Sequence, residues 1–443
     1  MNERNEKIAA EVLAASKAAQ TEVIVISGAS ALTRFANNTI HQNVAEEDVS
    51  VTVRAVDGKH VGVASGNDFS KPGLRRLAAT ALDIARQLPE IPDFPGLPGK
   101  AAVADALSYS KDTASMSPRA RAKAAAQVIR PSASKGANAS GTVSSDWAVL
   151  TAANSHGASA TARRSEYEVT AVIEKGSGAG YAGGLSWDAR KIDARRVGAA
   201  ALAKCLSSAE PQPIEPASYT VILEPQAVAG LLSYIAYMGF GAQSFIEGRS
   251  FTSGRTGQKI MHESVSIWDD GLDPEGMPMP FDYEGQPRKR VNLIEKGVAR
   301  GVVYDTWYGA KGGAASTGHA LPPDFPEGPL PTNLFMAAGG SSLEEMIAST
   351  EKGILVTRFH YVNIADPSKA VLTGLTRDGT FLVENGRVAH PVRNLRFTES
   401  MLSAFSSVEA LSRERSLESS MLGGVVAPAA KISSFRFTGA TEF

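Results

Sequence analysis

Short hairpin turns scattered among helical segments are the feature that most constrains this fold. Asp57-Gly58 separates two strand-like runs near the N-terminus, and Asn385-Gly386 separates two more near the C-terminus. Asp-Gly and Asn-Gly favour the two-residue turns that join antiparallel strands. Because such hairpins occur together with helices in a mixed order, the sequence predicts an α+β fold rather than a doubly wound parallel sheet.

The length of the chain and two proline-rich stretches suggest how the fold is divided. With 443 residues, the chain is too long for one ordinary hydrophobic core. The stretch 88–100 is typical of a linker or a wrapped loop, and Glu210–Pro216 is typical of a boundary. We therefore predict a mixed α/β domain over residues 1–215 and a strand-rich domain over residues 216–443.

Charge and hydropathy argue against several kinds of partner. The chain has 45 basic and 46 acidic residues and no strongly basic block, whereas non-specific nucleic-acid binding needs concentrated Lys and Arg. The N-terminus lacks the continuous apolar core of a signal peptide, and the longest apolar stretches are too short to cross a membrane. We expect a cytoplasmic protein that binds neither nucleic acid nor membrane.

Histidine, cysteine and acidic patterns do not identify a metal site. No two of the seven histidines lie within ten residues of each other, and His262-Glu263 falls in a strand-like run without a second histidine. The single cysteine, Cys205, excludes a disulfide within the chain and lies on the apolar stripe of a helix, where a small buried side chain is expected. Asp269-Asp270 is more typical of a plain turn than of a cation site.

Two short motifs match catalytic or nucleotide-binding patterns only by spacing. Ser132 and Lys135 have the S-x-x-K spacing of serine acyl-transfer enzymes, but Pro131 and Gly136 flank them and predict a polar loop. Gly178–Gly183 matches G-x-G-x-x-G, yet no helix begins directly after it, so a flexible glycine turn is favoured. Neither motif supports a catalytic assignment.

The helix predicted over Pro225–Met238 has the clearest periodicity in the second half. Its apolar side chains recur at i, i+3, i+4 and i+7 and form one face: Val228, Leu231, Leu232 and Ile235. We expect this face to pack into the core of the second domain.

Many individually weak motifs resemble, in their order and spacing, the TldD/PmbA family of metallopeptidase-related proteins. The resemblance extends over about residues 22–410. The motifs that carry it are Arg34–Asn38, Ile40–Asn43, Glu247–Phe251, Phe281–Gly285, Pro331–Leu334, Leu372–Gly374, Phe381–Gly386 and Asn394–Phe397.

The resemblance also implies that this chain lacks the family's metal site. In the catalytic branch the helix bears H-E-x-x-x-H, and the corresponding positions here are Ser233, Tyr234 and Met238, which cannot replace two imidazoles around zinc. The family's C-terminal cysteine ligand has no counterpart in Met421–Phe443. We therefore expect no metal and no cofactor and assign no catalytic residue. We expect Ser233, Tyr234, Tyr237 and Met238 to line any pocket beside this helix.

The family arrangement implies a role as a pseudoenzyme, with two alternatives. The first hypothesis is a non-catalytic PmbA/TldE-like subunit that dimerises with a TldD-type zinc metallopeptidase and supports peptide proteolysis. The second is a stand-alone peptidase of non-metal mechanism that uses a nucleophile such as Ser233. The third is a homodimer that binds peptides or another small ligand without catalysis.

Overall fold

The computed structural model describes residues 2–441, and their strands form two sheets packed with helices. The predicted α+β class is confirmed. The elements of the first half are α1 (Asn2–Ala15), β1 (Gln20–Ala36), β2 (Thr39–Asp57), β3 (His60–Gly66), α2 (Lys71–Gln87), α3 (Lys111–Ala114), α4 (Pro118–Ser134), β4 (Asn138–Asn154), β5 (Ser159–Lys175), β6 (Gly178–Ser186) and α5 (Ala194–Ser207).

The second half continues with mostly short elements and includes four long strands. Its elements are β7 (Ser218–Leu223), α6 (Pro225–Gly239), α7 (Ala242–Ile246), β8 (Ile267–Asp269), β9 (Val291–Glu295), β10 (Val298–Ala299), α8 (Thr306–Gly312), β11 (Asn333–Met336), α9 (Leu343–Ala348), β12 (Lys352–Asp366), β13 (Val371–Glu384), β14 (Arg387–Pro391), β15 (Leu395–Ser400), α10 (Met401–Ser406), β16 (Val408–Ser420) and β17 (Gly423–Ala440). The four long strands are β12, β13, β16 and β17.

The first sheet is antiparallel and has the strand order β3-β2-β1-β4-β5-β6. Alternate residues of a strand point to opposite faces, and β1 shows this directly. Val23 and Val25 pack with the helices on one face, whereas Ile24 and Ile26 pack near Phe281 of the second half on the other. The helices therefore cover one face and leave the other to the second half and to solvent.

The second sheet packs against α6 through β7, β12, β16 and β17. Its main strand order is β10-β9-β8-β11-β17-β15-β13-β12-β7, with β14 and β16 paired at the sides. The predicted apolar face of α6 is confirmed, since Val228, Leu231, Leu232 and Ile235 are fully buried in the main core. The first sheet ends at Ser186 and the second begins at Ser218, while the domain division at residue 215 stays a prediction.

Tertiary packing overturned two local predictions. Ser132 is not in a loop but in the last turns of α4, where its buried hydroxyl donates to the carbonyl of Val128. Gly178–Gly183 is not a turn but part of strand β6. A Cβ on Gly180 would lie 2.1 Å from the carbonyl oxygen of Ala201, so glycine allows α5 to lie directly on this strand.

The proline-rich stretch 88–100 was predicted to be either a linker or a wrapped loop, and in the structure it is a wrapped loop. Phe94 and Leu97 are buried against Val56 of the first sheet. Phe94 also meets the ring of Trp307 edge-on, with 6.0 Å between centroids. No helix in residues 2–441 has the length and apolar character needed to cross a membrane.

Buried ionisable groups lie where β6 meets the second sheet. The guanidinium of Arg358 stacks over the ring of Tyr181 at 4.2 Å. Glu418 on β16 is 8% exposed, and burial raises its pKa to about 7, while the charges of Glu224 and Glu168 act in the same direction and Lys204 opposes them. Glu418 is therefore protonated in the fold over a pH range in which the unfolded chain has ionised it.

The pKa of Glu418 predicts a measurable pH dependence. Between pH 4.5 and about 7 the folded chain retains a proton that the unfolded chain releases, so the contribution of Glu418 to stability falls as pH rises through this window. Glu418→Gln imitates the protonated form. Relative to the wild type, its free energy of unfolding should therefore rise by up to about 3 kcal/mol as pH increases through the same window. Urea unfolding at several pH values measures this gain. Glu414→Gln, exposed on the same strand, is the control and should show no such trend.

Candidate functional site

The side chains that the sequence singled out lie on one side of α6, and two of them bond to the rest of the chain. The hydroxyl of Tyr234 donates to the carbonyl of Val362 at 2.6 Å. The hydroxyl of Tyr237 donates to a carboxylate oxygen of Glu327 at 3.2 Å, and burial together with that carboxylate raises the pKa of Tyr237. Met238 is 4% exposed and belongs to the core.

The C-terminal end of α6 is fixed by the segment that follows α7. The hydroxyls of Ser250 and Thr252 both donate to the carbonyl of Gly239, at 2.8 and 3.1 Å, and so satisfy an acceptor that the helix leaves open. A Cβ at position 239 would lie 2.0 Å from the ring of Phe251, so this position admits only glycine. The motif Glu247–Phe251 therefore positions the end of the helix.

A cavity of about 280 Å³ opens beside this helix end. Tyr237 and Met238 line it, whereas Ser233 and Tyr234 are not among the lining residues. Gln243 and Glu327 also line it, and each has a buried acceptor oxygen without a hydrogen-bond partner among residues 2–441. The cavity therefore offers acceptor oxygens to a ligand that donates hydrogen bonds.

The residues present do not fit a zinc ion at this position. A zinc site needs several nitrogen, thiolate or carboxylate donors within bonding distance. Here the hydroxyls of Tyr234 and Tyr237 are engaged, Met238 offers only a thioether, and Glu327 supplies the single carboxylate of the cavity. Within residues 2–441, no group of three or more His, Cys, Asp or Glu side chains is arranged to hold a metal.

A second cavity, of about 320 Å³, lies between the open face of the first sheet and the loops of the second half. We call it the inter-sheet cavity. Ile26, Leu150 and Trp187 line it from the first half, and Met279 and Phe281 line it from the second. Its polar wall includes two further lining residues, Arg288 and His319, both of which are buried.

Asp269 organises this polar wall. One of its oxygens accepts from His319 Nε2 at 2.8 Å and from Arg288 at 3.2 Å. The other accepts the backbone N–H groups of Thr332 and Asn333, each at 2.8 Å. Burial alone would raise the pKa of Asp269, but the charge of Arg288 and these hydrogen bonds, including the one from His319, hold it below its usual value.

His319 stays neutral in this environment. Its ring is fully buried, and burial followed by the charge of Arg288 lowers its pKa despite the neighbouring carboxylate. Arg288 is 7% exposed, and its Nε is buried with no hydrogen-bond partner in the described part of the chain. The prediction of a plain turn at Asp269-Asp270 was therefore wrong for Asp269, which is the centre of a buried ion pair.

A second buried charge cluster joins the two halves. Arg54 on β2 pairs with Glu22 at 2.7 Å and with Glu284 at 3.0 Å. Burial raises the pKa of Glu22 to about 7 although Arg54 opposes the shift, and burial and Glu284 raise the pKa of Asp305 to about 7. Glu284 belongs to the motif Phe281–Gly285, so this motif connects the second half to the first sheet.

The remaining candidates have structural surroundings. Cys205 is fully buried in α5, as predicted, and burial raises the pKa of its thiol. His262 lies in a turn rather than a strand, and its Nδ1 lies 2.9 Å from the hydroxyl of Ser264. Neither residue lines the cavities described above.

Comparisons with known proteins identify the class to which this fold belongs. A family model described as the PmbA/TldA metallopeptidase C-terminal domain matches residues 216–439, which is just over half of the chain. A second model, metallopeptidase domain 1 of the same family, matches residues 21–85. The chain therefore belongs to the TldD/PmbA family of metallopeptidase-related proteins, and the resemblance drawn from its motifs is confirmed.

The alignment with one curated relative, a PmbA-type protein, is long. The metalloprotease PmbA homolog of Haemophilus influenzae is 24% identical over 397 residues, which cover 86% of this chain and 85% of that one. The metalloprotease TldD homolog of Buchnera aphidicola is 25% identical over 178 residues, covering 40% of this chain and 36% of its own length. The chain thus spans only about a third of the length of the TldD-type relatives that head the comparison.

Solved structures show the same fold over nearly the whole chain. TldE from Thermococcus kodakarensis superposes with a TM-score of 0.89 at 19% identity, covering 98% of this chain and 99% of that one. A protein titled a putative modulator of DNA gyrase from Thermotoga maritima gives a TM-score of 0.86 at 17% identity, covering 98% and 100%. At these identities the likeness concerns the fold.

Proposed function

We propose that this chain is a non-catalytic, PmbA/TldE-like subunit that supports peptide proteolysis by a TldD-type zinc metallopeptidase partner. The observation that carries the proposal is the chemistry of the side chains on α6. The positions that we align with the family's metal motif bear Ser233, Tyr234 and Met238, and these side chains supply none of the donors that zinc prefers. The family scaffold is kept while the chemistry of its metal site is replaced.

A stand-alone serine mechanism has less support. A serine nucleophile needs a base within hydrogen-bond reach. Ser233 is half-buried, and within the described chain no histidine or lysine side chain hydrogen-bonds to it. Ser233 is therefore expected to pack against its surroundings rather than to attack a peptide.

Co-expression with a TldD-type metallopeptidase tests the proposal. The purified chain alone should contain no stoichiometric zinc and should not cleave casein. With the partner it should form a stable complex, and chelator-sensitive cleavage should exceed that of the partner alone. Elemental analysis, size-exclusion mass and peptide release measure the three results.

Two variants separate the proposal from its rivals. Ser233→Ala in this chain should leave cleavage by the complex unchanged, whereas replacing the first histidine of the partner's H-E-x-x-x-H should abolish it. One zinc per isolated chain with chelator-sensitive cleavage would refute the proposal, as would the lack of both a complex and a gain in cleavage.

A further inference from the structure

The inter-sheet cavity continues onto the open face of the first sheet. A neighbouring cavity of about 480 Å³ lies on that face, lined by β1, β2, β4 and β5. The two cavities share five lining residues: Ile26, Ala148, Arg164, Ser165 and Glu166. They therefore form one continuous depression, which we call the sheet-face groove.

One end of the sheet-face groove is acidic. Glu46, Asp48, Asp146 and Glu166 line it there, and Arg164 is the only basic residue among the lining side chains of that end. The strand register places Asp146 directly opposite Glu166. Like charges directly opposite each other on paired strands repel, and burial, followed by the charge of Glu166, raises the pKa of Asp146 to about 6. A cation placed among them would relieve this repulsion.

The other end is apolar and adaptable. The apolar residues that line the inter-sheet cavity include Met277, Met279, Phe281, Phe325 and Met421. Met421 is 55% exposed, although it is a large apolar side chain. Thioether side chains are unbranched and polarisable, so they adjust to apolar groups of different shape. A volume of about 320 Å³ is within the range of small-ligand sites.

We propose that the sheet-face groove binds an extended peptide, with a basic side chain at its acidic end and a large apolar side chain in the inter-sheet cavity. Complementarity of charge selects the first side chain, and burial of apolar area selects the second. The inference rests on the proposed function and names the class of peptide that the subunit would present to its partner.

Direct binding to the isolated, full-length chain tests this inference. The probes are acetylated and amidated alanine hexapeptides that carry one lysine and one leucine at varied separation, titrated by calorimetry. The best of them should bind about tenfold more tightly than its counterpart with glutamate in place of lysine. It should also bind about tenfold more tightly than its counterpart with alanine in place of leucine.

Matched variants locate the binding. Glu166→Gln should weaken the lysine peptide but not the peptide in which alanine replaces lysine. Ala148→Leu, which narrows the junction of the two cavities, should weaken both. Glu174→Gln is the control, since Glu174 is exposed on the same strand but lines neither cavity, and it should change nothing.

The outcomes distinguish this inference from the proposed function. Equal affinity for all the peptides, or the same response to Glu166→Gln and Glu174→Gln, would overturn the inference even if the chain still stimulates a TldD-type partner. Selective binding that depends on Glu166 would support the inference even if no partner's cleavage rises, and in that case only the proposed function would fail.

Discussion

Arg54→Met should lower the free energy of unfolding by about 3–5 kcal/mol, because it removes one partner from a buried ionic cluster. Glu22 and Glu284 are 2% and 6% exposed, and both pair with Arg54. Without the guanidinium, these two carboxylates must be protonated or remain ionised side by side out of water. Since Glu284 belongs to the second half of the chain, the loss should also loosen its attachment to the first sheet. Urea unfolding of the wild type and the variant at pH 7 measures the change.

A compensated variant shows whether charge rather than packing is responsible. Adding Glu22→Gln and Glu284→Gln to Arg54→Met removes both uncompensated charges and should restore most of the lost stability. The variant should also become less sensitive to pH, since burial raises the pKa of Glu22 to about 7 in the wild type. A loss below about 1 kcal/mol for Arg54→Met alone, the size expected of an exposed ion pair, would contradict this view of the cluster.

Local patterns in the sequence predicted the parts of the fold that depend on neighbouring residues. Gly58 adopts positive φ, at 65°, in the predicted turn between β2 and β3, as expected of glycine. Asn385 and Gly386 do the same between β13 and β14. The apolar spacing of α6 likewise identified its buried face. In each of these cases the determining interactions lie within a few residues along the chain.

Features determined by distant contacts escaped the local analysis. The glycines of β6 were interpreted as a turn because their reason, the close approach of α5, is visible only in three dimensions. Asp269 was interpreted as a turn residue because its partners Arg288 and His319 lie 19 and 50 residues further along. No local signal marks such a pair.

The family resemblance identified positions of interest that local patterns could not identify, but it did not give the structural role of the residues at those positions. It directed attention to Ser233 and Tyr234. The structure then showed that the hydroxyl of Tyr234 donates a hydrogen bond to a backbone carbonyl, and that neither residue lines the cavity beside α6. It also grouped Phe281–Gly285 as a motif without giving its role. The contact of Glu284 with Arg54 shows that this motif carries a link between the two halves.

Asp269→Ala should be as destabilising as the loss of Arg54, with a cost of about 3–5 kcal/mol. The carboxylate is fully buried and accepts four hydrogen bonds. Its removal leaves the Arg288 cation without a counter-ion and two backbone N–H groups without an acceptor. Because its folded-state pKa lies below the ordinary 3.8, the stabilisation by Asp269 is complete near pH 5 and is lost only as pH falls through the folded-state pKa.

The neighbouring Asp270→Ala is the matched control for this experiment. Asp270 is half-buried, and its carboxylate accepts the N–H of Leu272, at 3.0 Å, as its one hydrogen bond within the described residues. Its loss should therefore cost about 1 kcal/mol or less. Adding Arg288→Met to Asp269→Ala should recover part of the stability, since the unpaired cation is then absent. Unfolding of Asp269→Ala and Asp270→Ala at the same urea concentration would contradict this view. Asp269 would then not be the buried ionic centre of the inter-sheet cavity, and the backbone alone would order the polar wall of that cavity.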